Sequence, residues 1–324
     1  MGAVIRREHE SHAIDLTFLV RQVRWEAQDV VSVLLESADG SPLPPWTPGS
    51  HLDLHLPNGL TRNYSLCGTP DPRVWRIGVL REPQGGGGSA YIHDSLRVGA
   101  ELPGHGPRNN FLLEPATSYQ FIAGGIGITP ILPMIRQAEE QGIPWQLLYG
   151  GRARNSMAFL DELALYGDRV RVHPQDELGL LPLDDVLREP VDGCLVYCCG
   201  PGALMDAVEA AMAAWPAESL VIERFRPVEH VEPTSTDAFE VVAAKSGVSV
   251  TVAPGESVLA ALERIGVTIP NSCREGICGT CETRIVEGVA DHRDSLLSDA
   301  ERESMATMMV CVSRAAGSRL VLDA

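Results

Sequence analysis

Four cysteines near the C-terminal end have the chemistry and spacing to hold a redox metal centre. Cys273, Cys278 and Cys281 stand in SCREGICGTCETRIVEG as C-x4-C-x2-C, and 29 residues intervene before Cys311. Thiolates are soft ligands, and this is the plant-type spacing for a [2Fe-2S] cluster, in which four sulfurs hold two irons. Three ligands from one short loop require a tightly wrapped backbone. Gly276 and Gly279 give it the freedom to wrap and leave amides to face the sulfurs. The fourth ligand must come from elsewhere in the fold, as Cys311 does. A structural zinc site or four incidental buried cysteines are the competing readings. Zinc favours repeated short spacings such as two C-x2-C pairs, which this segment lacks.

Two further motifs suit a dinucleotide. AGGIGITP, with Gly125, Gly127 and Thr129, runs from a strand pattern into a helix pattern, the arrangement in which amides at a helix start bind a phosphate. It is not GxGxxG, and a glycine-rich turn in any α/β domain would look the same. CGP, comprising Cys199, Gly200 and Pro201, ends the apolar strand CLVYCCG, where open α/β sheets bind ligands. Cys199 also reads as a small buried residue. Farther upstream, RNYS offers the cation Arg62, then Asn63, the ring of Tyr64 and the hydroxyl of Ser65. On a strand Arg62 and Tyr64 share a face, with Ser65 on the other unless the strand bends. The cation can hold a phosphate, and the ring can stack on a flavin. The run GGGGS, which includes Gly87, Gly88 and Ser89, is either an amide-lined anion nest or a flexible loop.

Three kinds of element must position these groups. From Leu16 the chain shows short, interrupted β patterns: FLVRQVRWE, DVVSVLLES, the alternating HLDLHL, RNYSLCG and VWRIGVLRE, ending near the FLLE at Phe111–Glu114. This predicts an antiparallel barrel or sandwich, a first domain over residues 1–115. From Ser118 strands alternate with helices: YQFIAGG, then TPILPMIRQAEEQ, then WQLLYGG, then SMAFLDELALYG, and so on to SLVIERF. Alternation predicts a parallel, doubly wound sheet of five strands over 116–227. The stretch PVEHVEPTSTDA has two prolines, Pro227 and Pro233, and no Lys or Arg, and residues 228–238 read as a linker. Residues 239–324 open with the hairpin FEVVAAKSGVSVTVAPG and the helix ESVLAALERIG, enough for a third, small domain.

The 324 residues suffice for two or three domains, and 44% hydrophobic and 21% charged residues are ordinary for a globular protein. A formal charge of −17, with Lys245 the single lysine, has the wrong sign for a nucleic-acid binder. No apolar run is long enough to cross a membrane, and the first residues carry Arg, Glu and His where an export signal needs an apolar stretch. A cytoplasmic address is therefore expected. The remaining cysteines, Cys67, Cys194, Cys198 and Cys199, lie in apolar surroundings and do not suggest a disulfide framework.

Taken together and in this order, the three motif groups resemble the phthalate dioxygenase reductase family over nearly the whole chain after about residue 15. The resemblance implies an antiparallel flavin-binding barrel, an α/β NAD domain and a β-grasp-like α+β ferredoxin domain, with FMN, NADH and a [2Fe-2S] cluster as cofactors. It implies that Arg62, Asn63, Tyr64 and Ser65 hold the flavin, Arg62 at its phosphate, Tyr64 on its ring and Ser65 near its redox nitrogen. It further implies that Arg81 with Gly87, Gly88 and Ser89 forms a second phosphate loop. The family commonly shows GRGGS there, and Gly86 replaces its arginine. Gly125, Gly127, Thr129 and Cys199–Pro201 match the nicotinamide-nucleotide site, with Thr129 also beside the flavin; apart from the resemblance, YGGRARNS places Arg152 and Arg154 just after the second strand of the α/β domain, where a cation could take a dinucleotide 2′-phosphate. Phe225 matches an aromatic that covers the flavin, though it also suits boundary packing. Hydride transfer is then expected near Ser65, Cys199 and Phe225.

NADH gives electrons in pairs whereas an iron–sulfur cluster takes them singly, so the resemblance implies a flavin between the two and no acid–base or nucleophilic group. It implies a monomeric reductase feeding a terminal oxygenase, a Rieske non-haem iron enzyme or demethylase; the alternatives are a cytochrome P450 partner or a non-catalytic redox sensor. Residues 239–324 carry twelve acidic and eight basic side chains. This predicts a basic docking surface on the partner.

Overall fold

The computed structural model describes residues 13–83, 85–216, 218–227 and 237–324. The expected linker therefore lies mostly outside the described residues, as do the first twelve. The chain separates into two compact units, Met1–Glu223 and Arg224–Ala324.

The first unit opens with β1 (Ile14–Ala27), β2 (Val30–Ser37), β3 (Ser50–His55), β4 (Thr61–Ser65), β5 (Trp75–Leu80), the short helix α1 (Gly88–Asp94) and β6 (Glu101–Asn109). The strands form one antiparallel sheet in the order β4-β3-β6-β1-β2-β5. A bridge between Leu66 and Ile77 joins the two outer strands, so the sheet curls into a barrel. Alternate residues point inward, and Phe18, Leu52, Leu54, Trp75 and Ile77 are fully buried. Each such side chain contributes roughly 1.5–3 kcal/mol by leaving water. Phe18 and Trp75 meet with ring centroids 5.6 Å apart.

The barrel corrects the expected strand list at its end. Phe111–Glu114 is not a strand. The last barrel strand is β6, ELPGHGPRN, whose two prolines and two glycines hide the alternation. Gly104 there packs so closely that a Cβ would lie 2.5 Å from the Asp53 carbonyl oxygen, which explains why a small residue stands in a central strand. Phe111–Glu114 serves the second sheet: the Phe111 ring meets Tyr197 edge-on at 5.4 Å, and the Tyr197 hydroxyl donates to the Leu112 carbonyl at 2.8 Å.

The second part of this unit comprises β7 (Ser118–Gly124), α2 (Ile128–Glu140), β8 (Trp145–Gly151), α3 (Leu160–Ala164), β9 (Val170–Pro174), α4 (Gln175–Leu178), α5 (Leu183–Leu187), β10 (Cys194–Cys199), α6 (Gly202–Ala211) and β11 (Leu220–Glu223). The five strands are parallel, in the order β11-β10-β7-β8-β9, as the β–α alternation predicts. β7, first in sequence, lies centrally, so the chain direction reverses between β7 and β10 and leaves a crevice at their carboxyl ends. The helix expected over SMAFLDELALYG is confined to α3, because Phe159 takes φ 63°, a left-handed conformation that no helix continues through.

The second unit contains β12 (Phe239–Ala243), β13 (Val248–Val252), α7 (Val258–Arg264), β14 (Glu282–Glu287), β15 (Ala290–Asp291), α8 (Asp299–Ser304), β16 (Thr307–Met309), β17 (Arg314–Ala315) and β18 (Arg319–Leu322). Its main sheet runs β13-β12-β18-β14-β16, with β12 and β18 parallel and the expected hairpin β12–β13 antiparallel. Ser257 caps α7 by accepting from the Ala260 amide at 3.1 Å, and Ser298 with Glu301 forms a capping box on α8. This is a β-grasp-like α+β domain.

Candidate functional site

The four clustered cysteines come together as two pairs. Cys273, Cys278 and Cys281 lie on the loop between α7 and β14, and Cys311 lies just beyond β16. The loop turns at Gly276 (φ 73°) and Gly279 (φ 78°), left-handed positions that glycine takes without strain. A Cβ on Gly276 would lie 2.6 Å from the Val312 side chain, so the loop also needs glycine to close on the Cys311 segment. The Cys273 and Cys278 thiols are hydrogen-bonded to each other, and so are those of Cys281 and Cys311. A backbone amide and a hydroxyl complete the lining: the Glu275 amide donates to the Cys273 sulfur at 3.3 Å, and the Thr280 hydroxyl lies 3.2 Å from the Cys278 sulfur. The hydrogen bond with Cys273 draws the Cys278 thiol down to about 6 against the opposing effect of burial. The same contact pushes Cys273 up, and the contact with Cys311 pushes Cys281 up.

Two thiol pairs side by side suit two irons with two protein sulfurs each. Cys278, Cys281 and Cys311 are buried while Cys273 is partly exposed, so the loop at Cys273 is the side of the site that meets solvent.

In the first unit the two dinucleotide motifs meet at the β7–β10 crevice. β7 runs directly into a 3-10 turn at Gly125–Gly127 and then into α2. A Cβ on Gly127 would lie 2.2 Å from the Cys199 carbonyl oxygen, and one on Gly124 would lie 2.8 Å from Pro201. The glycines thus let the turn lie flat on Cys199–Gly200, at the place where such sheets take a nucleotide. Cys199 is fully buried. Thr129 is buried and donates to the Ile126 carbonyl at 2.9 Å, so its hydroxyl holds the turn. Its methyl occupies the space left by Gly78 of β5, where a Cβ would approach to 2.7 Å. Arg152 is exposed beyond β8, where its carbonyl accepts from the Asp176 amide at 3.0 Å.

Sequence reasoning missed Glu223. Register places it beside Cys199 at the end of β11. Its Oε2 is buried with no hydrogen-bond partner, and burial pushes the carboxyl up to about 8, which favours the protonated form. An uncharged carboxyl in this crevice can both donate to and accept from an amide, which fits a nicotinamide carboxamide. Its acidic type alone carried no signal, because the information lies in its burial.

On the barrel, Arg62 and Tyr64 lie opposite Leu54 and Leu52, and Ser65 lies opposite His51, so Ser65 does face away from Tyr64 along the strand. Arg62 donates to the Thr61 carbonyl at 2.8 Å and the Gly85 carbonyl at 3.1 Å. A Cβ on Gly88 would lie 2.7 Å from Arg62 Nε, so the glycine run lets the guanidinium lie against it. Gly87 takes φ 92° and no side chain caps the first turn of α1. Backbone amides beside a guanidinium fit a phosphate. The Ser89 hydroxyl accepts from the Glu82 amide at 2.9 Å, and Arg81 pairs with Asp94; these two close the loop. Asn63 donates to Asp53, which also pairs with Arg108 at 2.6 Å, so Asn63 supports the strand. Tyr64 is held against the barrel core, and burial pushes its hydroxyl well above the ordinary range. Phe225 falls in the unit that begins at Arg224.

Two domain families match the chain. The 2Fe-2S iron–sulfur cluster binding domain family matches residues 241–316, and the oxidoreductase NAD-binding domain family matches 121–210. The chain is 41% identical over 307 residues to phenoxybenzoate dioxygenase subunit beta of Ectopseudomonas oleovorans, covering 94% of this chain and 96% of that one. The structure of phthalate dioxygenase reductase, described as modular for electron transfer from pyridine nucleotides to [2Fe-2S], matches with TM-score 0.71 and 35% identity over 96% of this chain and 98% of that one. An intact type IV self-sufficient cytochrome P450 monooxygenase matches with TM-score 0.89 and 42% identity over 96% of this chain, which spans only 41% of that longer one.

The fold and its sites define an NADH-dependent flavin and iron–sulfur oxidoreductase, with FMN, NADH and [2Fe-2S] as its cofactor set. The chain belongs to the phthalate dioxygenase reductase family, and its relatives include reductase subunits of oxygenase systems.

Proposed function

We propose that this chain carries electrons from NADH to a separate Rieske non-haem iron oxygenase or demethylase that acts on an aromatic or quaternary-amine substrate. The carrying observation is the meeting of Gly127 with Cys199 beside Glu223, in the same chain as two adjacent thiol pairs. Arg62 with the amides at Gly87 and Gly88 would hold the FMN phosphate, Tyr64 would lie along its ring, and Ser65 would border its reactive edge. Gly125, Gly127, Cys199, Gly200 and Pro201 would seat the nicotinamide half of NADH, with Glu223 orienting its amide. Cys273, Cys278, Cys281 and Cys311 would ligate the cluster. When bound, FMN accepts a hydride and passes on its electrons one at a time, the exchange that a two-electron donor and a one-electron acceptor require. The protein's contribution is alignment: Gly127 sets how closely the nicotinamide turn lies against β10.

The domain limits that fit this reading are 1–115, 116–227 and 239–324, with 228–238 as the link. We further propose a monomer in the cytoplasm with no nucleic-acid or membrane partner; among the described residues no helix is long and apolar enough to cross a membrane. The likeness to a self-sufficient P450 supports a second reading, with a separate P450 as acceptor. The deciding experiment mixes the NADH-reduced protein with a purified Rieske oxygenase and, separately, with a P450. Bleaching of the Rieske chromophore supports the first reading, and a carbon monoxide difference band on the P450 alone supports the second. Failure to sustain NADH-driven cytochrome c reduction would leave a redox sensor.

A further inference from the structure

Glu162, on α3, receives two arginines that come from opposite sides of the first unit. Arg76 of β5 reaches it with both terminal nitrogens, NH2 lying 3.0 Å from Oε2, and Arg136 of α2 donates NH2 to Oε2 at 2.6 Å. Both arginines also donate to the Cys67 carbonyl, at 2.9 and 3.0 Å, and Arg136 donates to the Gly68 carbonyl at 2.8 Å. Burial opposes ionisation of Glu162, but the hydrogen bonds and charges of Arg76 and Arg136 outweigh it and hold the carboxyl below the ordinary range. The Arg76 guanidinium also lies 5.0 Å from the Phe159 ring centre, just before α3.

The two ends of this network matter for the redox site. Cys67 and Gly68 follow directly on the strand that carries Arg62, Tyr64 and Ser65. Arg136 lies on the helix that opens at the Gly125–Gly127 turn and carries Thr129. The same β5 that supplies Arg76 also supplies Gly78, against which Thr129 and Phe159 pack. A single carboxylate thereby bridges two guanidinium groups whose side chains are only 16% and 19% exposed, and which clamp the flavin strand to the nicotinamide helix.

Resting on the flavin and nicotinamide placement given above, we propose that Glu162 is a positioning residue for hydride transfer: through Arg76 and Arg136 it sets the distance between the end of the flavin strand and the helix that carries the nicotinamide turn. Removing its charge leaves the two guanidinium groups without the carboxylate that bridges them, and repulsion between them loosens the clamp. Hydride transfer needs donor and acceptor at near-contact distance, and a displacement of about 1 Å costs up to about a hundredfold in rate.

The test uses the flavin- and cluster-loaded protein and its Glu162→Gln variant. Stopped-flow flavin bleaching at saturating NADH is expected to slow by about 10- to 100-fold, while the dissociation constant for NADH, the flavin content and dithionite reduction of the cluster stay at wild-type values. The Glu162→Asp variant, which keeps the charge, is expected to recover part of the rate. In flavin-free protein, hydrogen exchange is expected to quicken in peptides spanning Leu66–Pro70 and Leu160–Ala164. Arg136→Lys supplies an independent variant, because its single nitrogen must replace two: NH1 serves the two carbonyls and NH2 serves the carboxylate; it is expected to show the same kinetic split. The proposal is overturned if either folded variant bleaches its flavin at the wild-type rate, or if the loss lies wholly in weaker NADH binding or in a lower Tm. Wild-type protein that fails to bleach its flavin with NADH would overturn the underlying site assignment, and this proposal with it.

Discussion

Replacing Gly127 with alanine tests how the two dinucleotide motifs share the β7–β10 crevice. The backbone at Gly127 has φ −60°, which alanine adopts freely, so conformational strain is not the obstacle. The obstacle is contact: the new Cβ would lie 2.2 Å from the Cys199 carbonyl oxygen, 2.5 Å from its carbon and 2.8 Å from the Gly200 nitrogen. Real Cβ contacts essentially never fall below 3.0 Å, so the turn and the end of β10 must separate by at least about 0.8 Å. All three neighbours are backbone atoms and cannot rotate away. Overpacking of this kind costs about 1–3 kcal/mol in stability. A shift of nearly 1 Å at the nicotinamide turn should slow hydride transfer by about one to two orders of magnitude. Stopped-flow bleaching of the flavin at saturating NADH and thermal unfolding measure the two effects separately. Gly142→Ala is the control, since its φ of 68° penalises alanine but its Cβ would meet nothing within 4 Å. Its Tm should fall while the bleaching rate holds. A Gly127→Ala protein with wild-type bleaching rate and Tm would refute the account of the crevice.

Cys278→Ser should abolish cytochrome c reduction while NADH still bleaches the flavin, since the cluster lies downstream of the hydride step; simultaneous loss of both would show that the second unit is needed for the first to fold. The Glu223 carboxyl titrates near 8 in the folded protein against 4.5 for the ordinary group, so the native state holds its proton across that window and stability falls as pH rises from about 4.5 through 8. Glu223→Gln should flatten that part of the Tm–pH curve, and parallel curves for the two proteins would count against the burial of this group. NADH should be used with a higher kcat/KM than NADPH: Arg154, one of two cations beyond β8, is already paired with Glu177 at 3.6 Å, with Asp176 adjacent, and a ratio favouring NADPH would overturn the assignment. Reduction of the oxygenase partner should slow as salt rises while flavin reduction by NADH does not, because exposed charges act over only about 10 Å at 0.1 M salt; a flat partner rate would remove electrostatic steering.

The parts of this protein that were legible in the sequence are those whose signal is local. C-x4-C-x2-C places three thiols within one loop whatever surrounds it, and the strand–helix alternation from Ser118 repeats often enough to declare a parallel sheet. The hairpin β12–β13 shows its period in a single stretch of chain. β6 was hidden because its prolines and glycines erase that period, and Phe111–Glu114 looked like a strand because an apolar run cannot announce which sheet it packs on. Arg81 was read as a phosphate ligand, whereas in the structure its guanidinium pairs with Asp94, thirteen residues away. Tertiary structure alone decided the roles of the charged residues. Glu223 acquires its proton only because β11 buries it beside Cys199, and Glu162 finds Arg76 across 86 positions of sequence. A carboxylate's chemistry is set by its dielectric surroundings and its neighbours' charges, and those are properties of the folded chain that residue type and spacing do not carry.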